Sequence, residues 1–268
     1  MSETLVRTDV APATPARRPP QPSRPTQTRR SPERQDEACA PRATVTALLL
    51  ACRREECAEE AAAELLSALE GSGQQHEVIV VLPPGTAREA RARQVREAAP
   101  GVRCVVSQGD GLAASLSAGL AAAEHELVLT WPASLVCQGP ALRPLFARLG
   151  AADVLVGHRS TQTRQRTVRR LVDFGYRRLV RELFGLRLRG GGQVALYRSD
   201  VLAEVDLAEP RIPTQTELLV RLRDRGASFE EVSVDFETRR PGASYSALAA
   251  RSLRGMYGLL SFWWRWRR

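Results

Sequence analysis

Residues 44–82 read TVTALLLACRREECAEEAAAELLSALEGSGQQHEVIVVL, and this stretch decides the fold. It opens with Thr44-Val45-Thr46-Ala47-Leu48-Leu49-Leu50, a short apolar run of strand length, and closes with a second, Val78-Ile79-Val80-Val81-Leu82. Between them, Glu55 to Leu69 is built from Ala, Glu and Leu, which lose little freedom on entering a helix, and Gly71-Ser72-Gly73 stops it. An apolar run without alternation needs cover on both faces of its sheet. Two such runs joined by a helix therefore predict a parallel crossover unit.

The same alternation continues on the C-terminal side. A helix is predicted over Ala87–Ala99, a strand over Val102–Ser107, a helix over Leu112–Ala123 and a strand over Glu126–Thr130. A helix over Ala141–Leu149 and a strand over Asp153–Gly157 follow. Further on, Thr163 to Leu186 is one long amphipathic stretch with Val168, Leu171, Val172, Leu179, Val180, Leu183 and Phe184 at helical spacing. Gly190-Gly191-Gly192 breaks it, after which Val194–Tyr197 and Phe229–Glu237 read as strands and Glu217–Arg225 as a helix. The expected fold class is α/β, a mostly parallel sheet flanked by helices, with an amphipathic helix at the C-terminal end.

Three parts follow from composition. Residues 1–42 hold eight of the seventeen prolines and few large apolar side chains, which predicts a disordered tail. Residues 43–246 form the α/β domain, and 247–268 an amphipathic helix for a membrane interface. In that last part Trp263, Trp264 and Trp266 stand among Arg265 and Arg267. Its apolar run from Gly255 to Trp264 is far shorter than the roughly twenty residues a bilayer span needs.

The formal net charge of +9 is spread unevenly. Residues 1–42 carry eight Arg against five acids, residues 251–268 five Arg and no acid, and Arg159 to Arg189 ten Arg against Asp173 and Glu182. The rest of the chain is acidic by about seven charges. Three basic segments on an acidic body point to a polyanionic partner, and the clustered tryptophans favour an anionic membrane surface over nucleic acid. A basic nucleic-acid-binding protein is the weaker alternative, because the aromatics gather at one end instead of interleaving with arginine.

Every basic residue is an arginine, since the chain has no lysine, and it has no asparagine either. Schiff-base lysines, Walker-type phosphate lysines and Cys-His-Asn nucleophile sets are thereby excluded. No Gly-x-Ser-x-Gly elbow is present. Five cysteines without a Cys-x-x-Cys pair, and a start Met-Ser-Glu-Thr without a basic-then-apolar layout, lead us to expect a cytoplasmic location. Gly109-Asp110-Gly111-Leu112-Ala113-Ala114 fits a loose dinucleotide pattern, but it lies on the third crossover with no ribose-binding acid beyond Leu129-Thr130-Trp131. It reads as a tight turn.

Eight stretches occur in a fixed order. They are Leu48 to Glu56; Val78-Ile79-Val80-Val81 with Gly85-Thr86; Gly111 to Leu120, ending Ala118-Gly119-Leu120; Ala152 to Arg159; Leu183-Phe184-Gly185-Leu186; Tyr197-Arg198; Thr216-Glu217-Leu218-Leu219; and Arg239-Arg240-x-Gly242-x-Ser244. From about Ala43 to Ser246 this order resembles family-2 glycosyltransferases of the GT-A fold, in the dolichol- and polyprenol-phosphate sugar synthase branch. The resemblance implies a nucleotide-sugar donor, a lipid-phosphate acceptor and a basic face toward the membrane. It places donor positions at Ala51, Arg53, Arg54, Leu82, Pro83, Pro84, Gly111, Leu112, Pro132, Ala133 and Ser134. Acceptor or phosphate contacts fall to His158, Arg159, Arg239, Arg240 and Ser244.

The family's acids do not stand at these positions. Its Asp-x-Asp, which holds a divalent metal through hard oxygens, is replaced by Pro132-Ala133-Ser134, and its nucleotide-binding acids by Leu82-Pro83-Pro84-Gly85. The resulting expectation is a pseudo-glycosyltransferase, a scaffold or regulator peripheral to the inner membrane face, with no metal or other cofactor and with a protein as a candidate partner. The alternative is an active, metal-independent transferase in which Arg53 and Arg54 neutralise the diphosphate. Asp110 or Glu217 would then supply the base.

Overall fold

The computed structural model describes residues 43–51, 57–85, 87–159, 167–189, 192–203, 205, 207, 214–239 and 255–264, with backbone alone over 167–173. Strand β1 (Thr44–Leu50) leads through α1 (Ala58–Glu70) to β2 (Gln75–Leu82), and α2 (Arg88–Ala98) leads to β3 (Arg103–Val106). Then come α3 (Leu112–Ala122), β4 (Leu127–Pro132), β5 (Leu135–Val136), a 3-10 turn (Gly139–Leu142), the one-turn helix α4 (Arg143–Phe146) and β6 (Val154–Arg159). The long helix α5 (Thr167–Phe184), β7 (Val194–Arg198), α6 (Ser199–Leu202), α7 (Thr214–Asp224), β8 (Phe229–Val234) and β9 (Glu237–Thr238) follow. A last helix, α8, spans 255–264.

Seven strands form one sheet in the order β3-β2-β1-β4-β7-β6-β8, and β5 pairs with β9 in a separate two-stranded ribbon. All strands of the large sheet run the same way except β7, which is antiparallel to both β4 and β6. The carboxyl ends of β1, β2, β3, β4, β6 and β8 therefore lie along one edge, where open α/β sheets bind ligands.

Strand β1 shows why its sequence does not alternate. Val45, Ala47, Leu49 and Ala51 face a core formed with α1, α2 and α4. Leu48 and Leu50 face a second core that includes α3, α7 and α8. With both faces covered, every position is apolar apart from Thr44 and Thr46. Helix α3 lies so close to the sheet that a Cβ on Gly119 would come within 3.0 Å of Leu48 Cδ1 and 3.1 Å of Val81 Cγ2. That closeness accounts for the glycine inside an otherwise good helical run.

The α/β class and mostly parallel sheet agree with the sequence reading. Three details differ. The helix predicted over Ala141–Leu149 is a 3-10 turn and a single helical turn, because Pro144 withholds the amide that a continuous helix would use there. The strand predicted over Phe229–Glu237 breaks at Asp235-Phe236, and its end becomes β9. Helix α7 begins at Thr214 instead of Glu217.

Candidate functional site

At the carboxyl edge the backbone groups pair with one another. The Ala51 amide donates to Val81 O at 3.1 Å and the Ala133 amide to Leu50 O at 3.1 Å. Ser107 donates to Leu82 O from its amide (3.0 Å), and its hydroxyl reaches Gly109 O at 2.8 Å. Ala51, Leu82, Pro83 and Ala133 are buried, while Pro84, Leu112, Pro132 and Ser134 are half-buried. The register Leu50↔Val81 and Leu50↔Pro132 brings the predicted donor positions of β1, β2 and β4 together. Gly111 stands at φ +97°, in the left-handed region, and starts α3; Asp110 beside it is exposed.

Arg239, just beyond β9, reaches across this edge. Its amide donates to Ser134 O at 2.8 Å and its Nε to Ala133 O at 3.4 Å. Its two Nη atoms bind both oxygens of Glu64 at 2.9 and 2.6 Å, and Nη1 also meets Glu60 at 3.2 Å. Glu60 and Glu64 lie one turn apart on α1, so a single guanidinium can meet both. The hydrogen bonds to Glu64 raise the Arg239 pKa above its ordinary value. Glu64 Oε2 also accepts from the Cys137 amide at 3.2 Å. Burial, with the nearby Glu64 charge, pushes the Cys137 thiol up to about 12.

His158 and Arg159 end β6 on the same edge. The Arg159 guanidinium lies 5.2 Å over the ring of Phe236, which meets Trp131 edge-on at 6.1 Å and 78°. Trp131 Nε1 in turn donates to Leu135 O at 3.3 Å. An aromatic chain thus links the phosphate candidate Arg159 to the end of β4. His158 Nδ1 lies 3.4 Å from Arg159 O.

Glu217 sits elsewhere. It is 0 % exposed inside α7, held by Arg221 Nε at 2.9 Å and Nη2 at 2.8 Å. Its neighbour Thr216 pairs with the Tyr176 hydroxyl of α5 at 2.8 Å. The structure thus seals Glu217 in an ion pair and leaves Asp110 in the open, so the two base candidates have opposite surroundings. On α8, Trp263 packs partly against the core while Trp264 points outward. Arg53, Arg54, Arg240, Ser244, Arg265, Trp266, Arg267 and the 1–42 tail lie outside the described residues.

A cavity of about 590 Å³ opens at the opposite edge of the sheet, lined by Glu126, Asp153, Arg198 and Asp200 over Leu127, Leu155 and Leu196. It is remote from the carboxyl ends. Sequence reasoning missed Glu60, Glu64, Trp131 and Phe236. The four-residue spacing of the two glutamates was the one signal available for them.

The fold is a GT-A fold, a mostly parallel seven-stranded α/β sheet flanked by helices. The chain is similar to glucosyl-3-phosphoglycerate synthase from Mycobacterium tuberculosis. One such structure, in complex with Mg2+ and uridine diphosphate, is 18% identical over 84% of this chain and 81% of that one, with a TM-score of 0.59. A second, with Mn2+, UDP-glucose and phosphoglyceric acid, is 20% identical over 84% and 81%, with a TM-score of 0.61. A further mycobacterial protein is 21% identical over 84% and 76%, with a TM-score of 0.57. At these identities the likeness is one of fold. No family model matches the chain, and no curated protein matches it.

These neighbours correct the expectation that no metal or other cofactor belongs here, because structures of this fold hold Mg2+ or Mn2+ together with UDP. The described residues at the end of β4 do not fit such an ion. Divalent magnesium or manganese favours carboxylate oxygens; the Ala133 and Ser134 carbonyls both already accept from Arg239, and the carboxylates of Glu60 and Glu64 are paired with that same guanidinium. Among the described residues no group of three or more His, Cys, Asp and Glu side chains could hold a metal. A divalent ion nonetheless belongs in every binding test of this chain.

Proposed function

We propose that this chain is a pseudo-glycosyltransferase of the polyprenol-phosphate type, a scaffold or regulator that works at the cytoplasmic face of a membrane without turning over a sugar nucleotide. The observation that supports the reading is Arg239, which donates to the Ala133 and Ser134 carbonyls after β4 and ties them to α1 through Glu64. Departure of a nucleoside diphosphate needs positive charge placed where negative charge develops. Among the described residues, the guanidinium bound to the carbonyls after β4 is already paired with a carboxylate.

The acceptor side favours a retained ligand. The neighbours were solved with a nucleotide-sugar and with a phosphate-bearing acid, phosphoglyceric acid. For this chain His158 and Arg159 would meet a lipid phosphate, with Arg159 oriented by its stacking on Phe236. A protein partner would complete a scaffolding role.

Turnover tests this reading. The full chain is incubated with UDP- or GDP-sugars, Mn2+ and an isoprenoid phosphate, and nucleoside diphosphate release is followed. Release at the level of the protein-free control is expected. Sustained release proportional to protein concentration would overturn it.

A further inference from the structure

The cavity at the amino edge of the sheet owes its lining to the reversed strand. Pairing of Leu127 with Arg198 and of Val154 with Tyr197 sets the end of β7 between the starts of β4 and β6. The chain turns there directly into α6, so Arg198 and Asp200 arrive beside Glu126 and Asp153. A parallel β7 would present its start at this edge instead.

The floor is apolar. Leu155 and Leu196 are cross-strand partners on the face of the first core, and Leu127 and Leu149 pack partly against that core. The volume of about 590 Å³ suits a small molecule. Clefts of roughly 300–1,000 Å³, mostly apolar with a few placed polar groups, are the usual sites for organic ligands.

The rim offers acceptors. The Arg198 amide donates to Asp153 O at 3.0 Å and the Ser199 amide to Glu126 O at 2.8 Å. The Arg198 guanidinium is committed to Asp200, through Nε at 3.2 Å and through Nη2, and to Asp153 at 3.6 Å. Glu126 is exposed and acts on that guanidinium only through its field. Three carboxylates therefore share one guanidinium, which leaves two negative charges above the leucines. An anion would meet like charge here. A hard metal ion gains nothing from leucine, and these carboxylates do not form a metal-holding group.

We infer that this cavity binds a small organic cation, an ammonium or guanidinium on an apolar ring or chain, with its body on the leucines and its charge toward Glu126 and Asp153. Burial of the body supplies affinity, and the carboxylates select the sign of the charge. The site lies at the far end of β4 and β6 from Ala133 and Arg159. Its occupancy is thus a separate matter from whether the donor edge takes a sugar nucleotide.

Titration calorimetry of the full chain with tryptamine, and with indole-3-propionate as the same ring carrying a carboxylate, tests it. Saturable binding of tryptamine that weakens with added salt is expected, and no binding of the propionate. Glu126→Gln is expected to weaken tryptamine about threefold or more. Arg198→Gln removes the competing cation and is expected to tighten it by about the same factor. Opposite shifts from two exposed side chains are not what partial unfolding gives, and the unfolding midpoints of both variants check that. Ala152→Leu, which puts a larger side chain on the lining, is expected to abolish binding. No saturable heat with tryptamine, equal binding of the two indoles, or variants that bind like the parent would overturn the inference. So would capture of a basic peptide such as acetyl-Leu-Arg-Leu-Arg-Leu-amide where tryptamine does not bind, which would make the cavity a protein-docking surface.

Discussion

Arg239 and Glu64 face each other fork to fork, Nη1 to Oε1 at 2.9 Å and Nη2 to Oε2 at 2.6 Å, across 175 positions of sequence. The pair joins the residue after β9 to α1, and Arg239 also donates to the Ala133 and Ser134 carbonyls beyond β4. Because the Arg239 side chain is only 13 % exposed, the pair is screened less than a surface ion pair. Parallel charge-assisted hydrogen bonds of this kind are the strong ones.

Arg239→Ala is expected to destabilise the protein by about 1–3 kcal/mol, the range for losing hydrogen bonds to a charged group. Chemical denaturation measures it. Adding Glu64→Ala should cost less in the Arg239→Ala background than in the parent, because the two residues share one interaction.

Gly119→Ala forces a Cβ to within 3.0 Å of Leu48 and 3.1 Å of Val81. Overpacking of this sort costs about 1–3 kcal/mol, more than alanine's better helix propensity returns. A lower midpoint in thermal or urea unfolding is expected. An unchanged or higher midpoint would show that α3 is free to move off the sheet.

Asp153 accepts from the Ser228 hydroxyl at 2.6 Å and the Ser228 amide at 2.8 Å, which holds its carboxyl below the usual value. Arg198, at 3.6 Å, acts in the same direction. A depressed carboxyl contributes stability that is present above its unfolded value, about 3.9, and is lost as pH falls through the folded value. Asp153→Asn should therefore be less stable than the parent at neutral pH. The difference should narrow as pH falls below about 4, as read from denaturation midpoints across pH.

Cys137 is buried, and its thiol is pushed up to about 12. The thiolate is the reacting species, so iodoacetamide at pH 8 should leave Cys137 unmodified in the native protein and modify it after unfolding. Peptide mass spectrometry reads the difference. A raised thiol also contributes stability that is complete below the unfolded pKa and is lost as pH rises toward the folded one.

Much of this architecture is legible in the sequence. Thr44–Leu50 and Val78–Leu82 announce two-sided burial, and the glycines after α1 mark its end. The reversed direction of β7 is not legible, because a strand covered on both faces has the same composition whichever way it runs. The two-residue strands β5 and β9 are too short to carry a period. The carboxyl-edge positions can be named from the sequence, but the ion pair beside Ala133 and Ser134 cannot. It depends on Arg239 finding Glu64 across nearly the whole domain, and nothing local in either residue encodes that meeting. Helix α8 shows the same limit: Trp263 and Trp264 are adjacent and chemically identical, yet one packs partly against the core and the other faces out.

A pseudo-glycosyltransferase, as proposed, would not hold a sugar nucleotide at the donor edge through a divalent ion. Isothermal titration of the full chain with UDP- and GDP-sugars, with and without Mn2+, measures it most directly. Heats no larger than those of dilution are expected for every donor under both conditions. Saturable binding that tightens when Mn2+ is added would contradict the account.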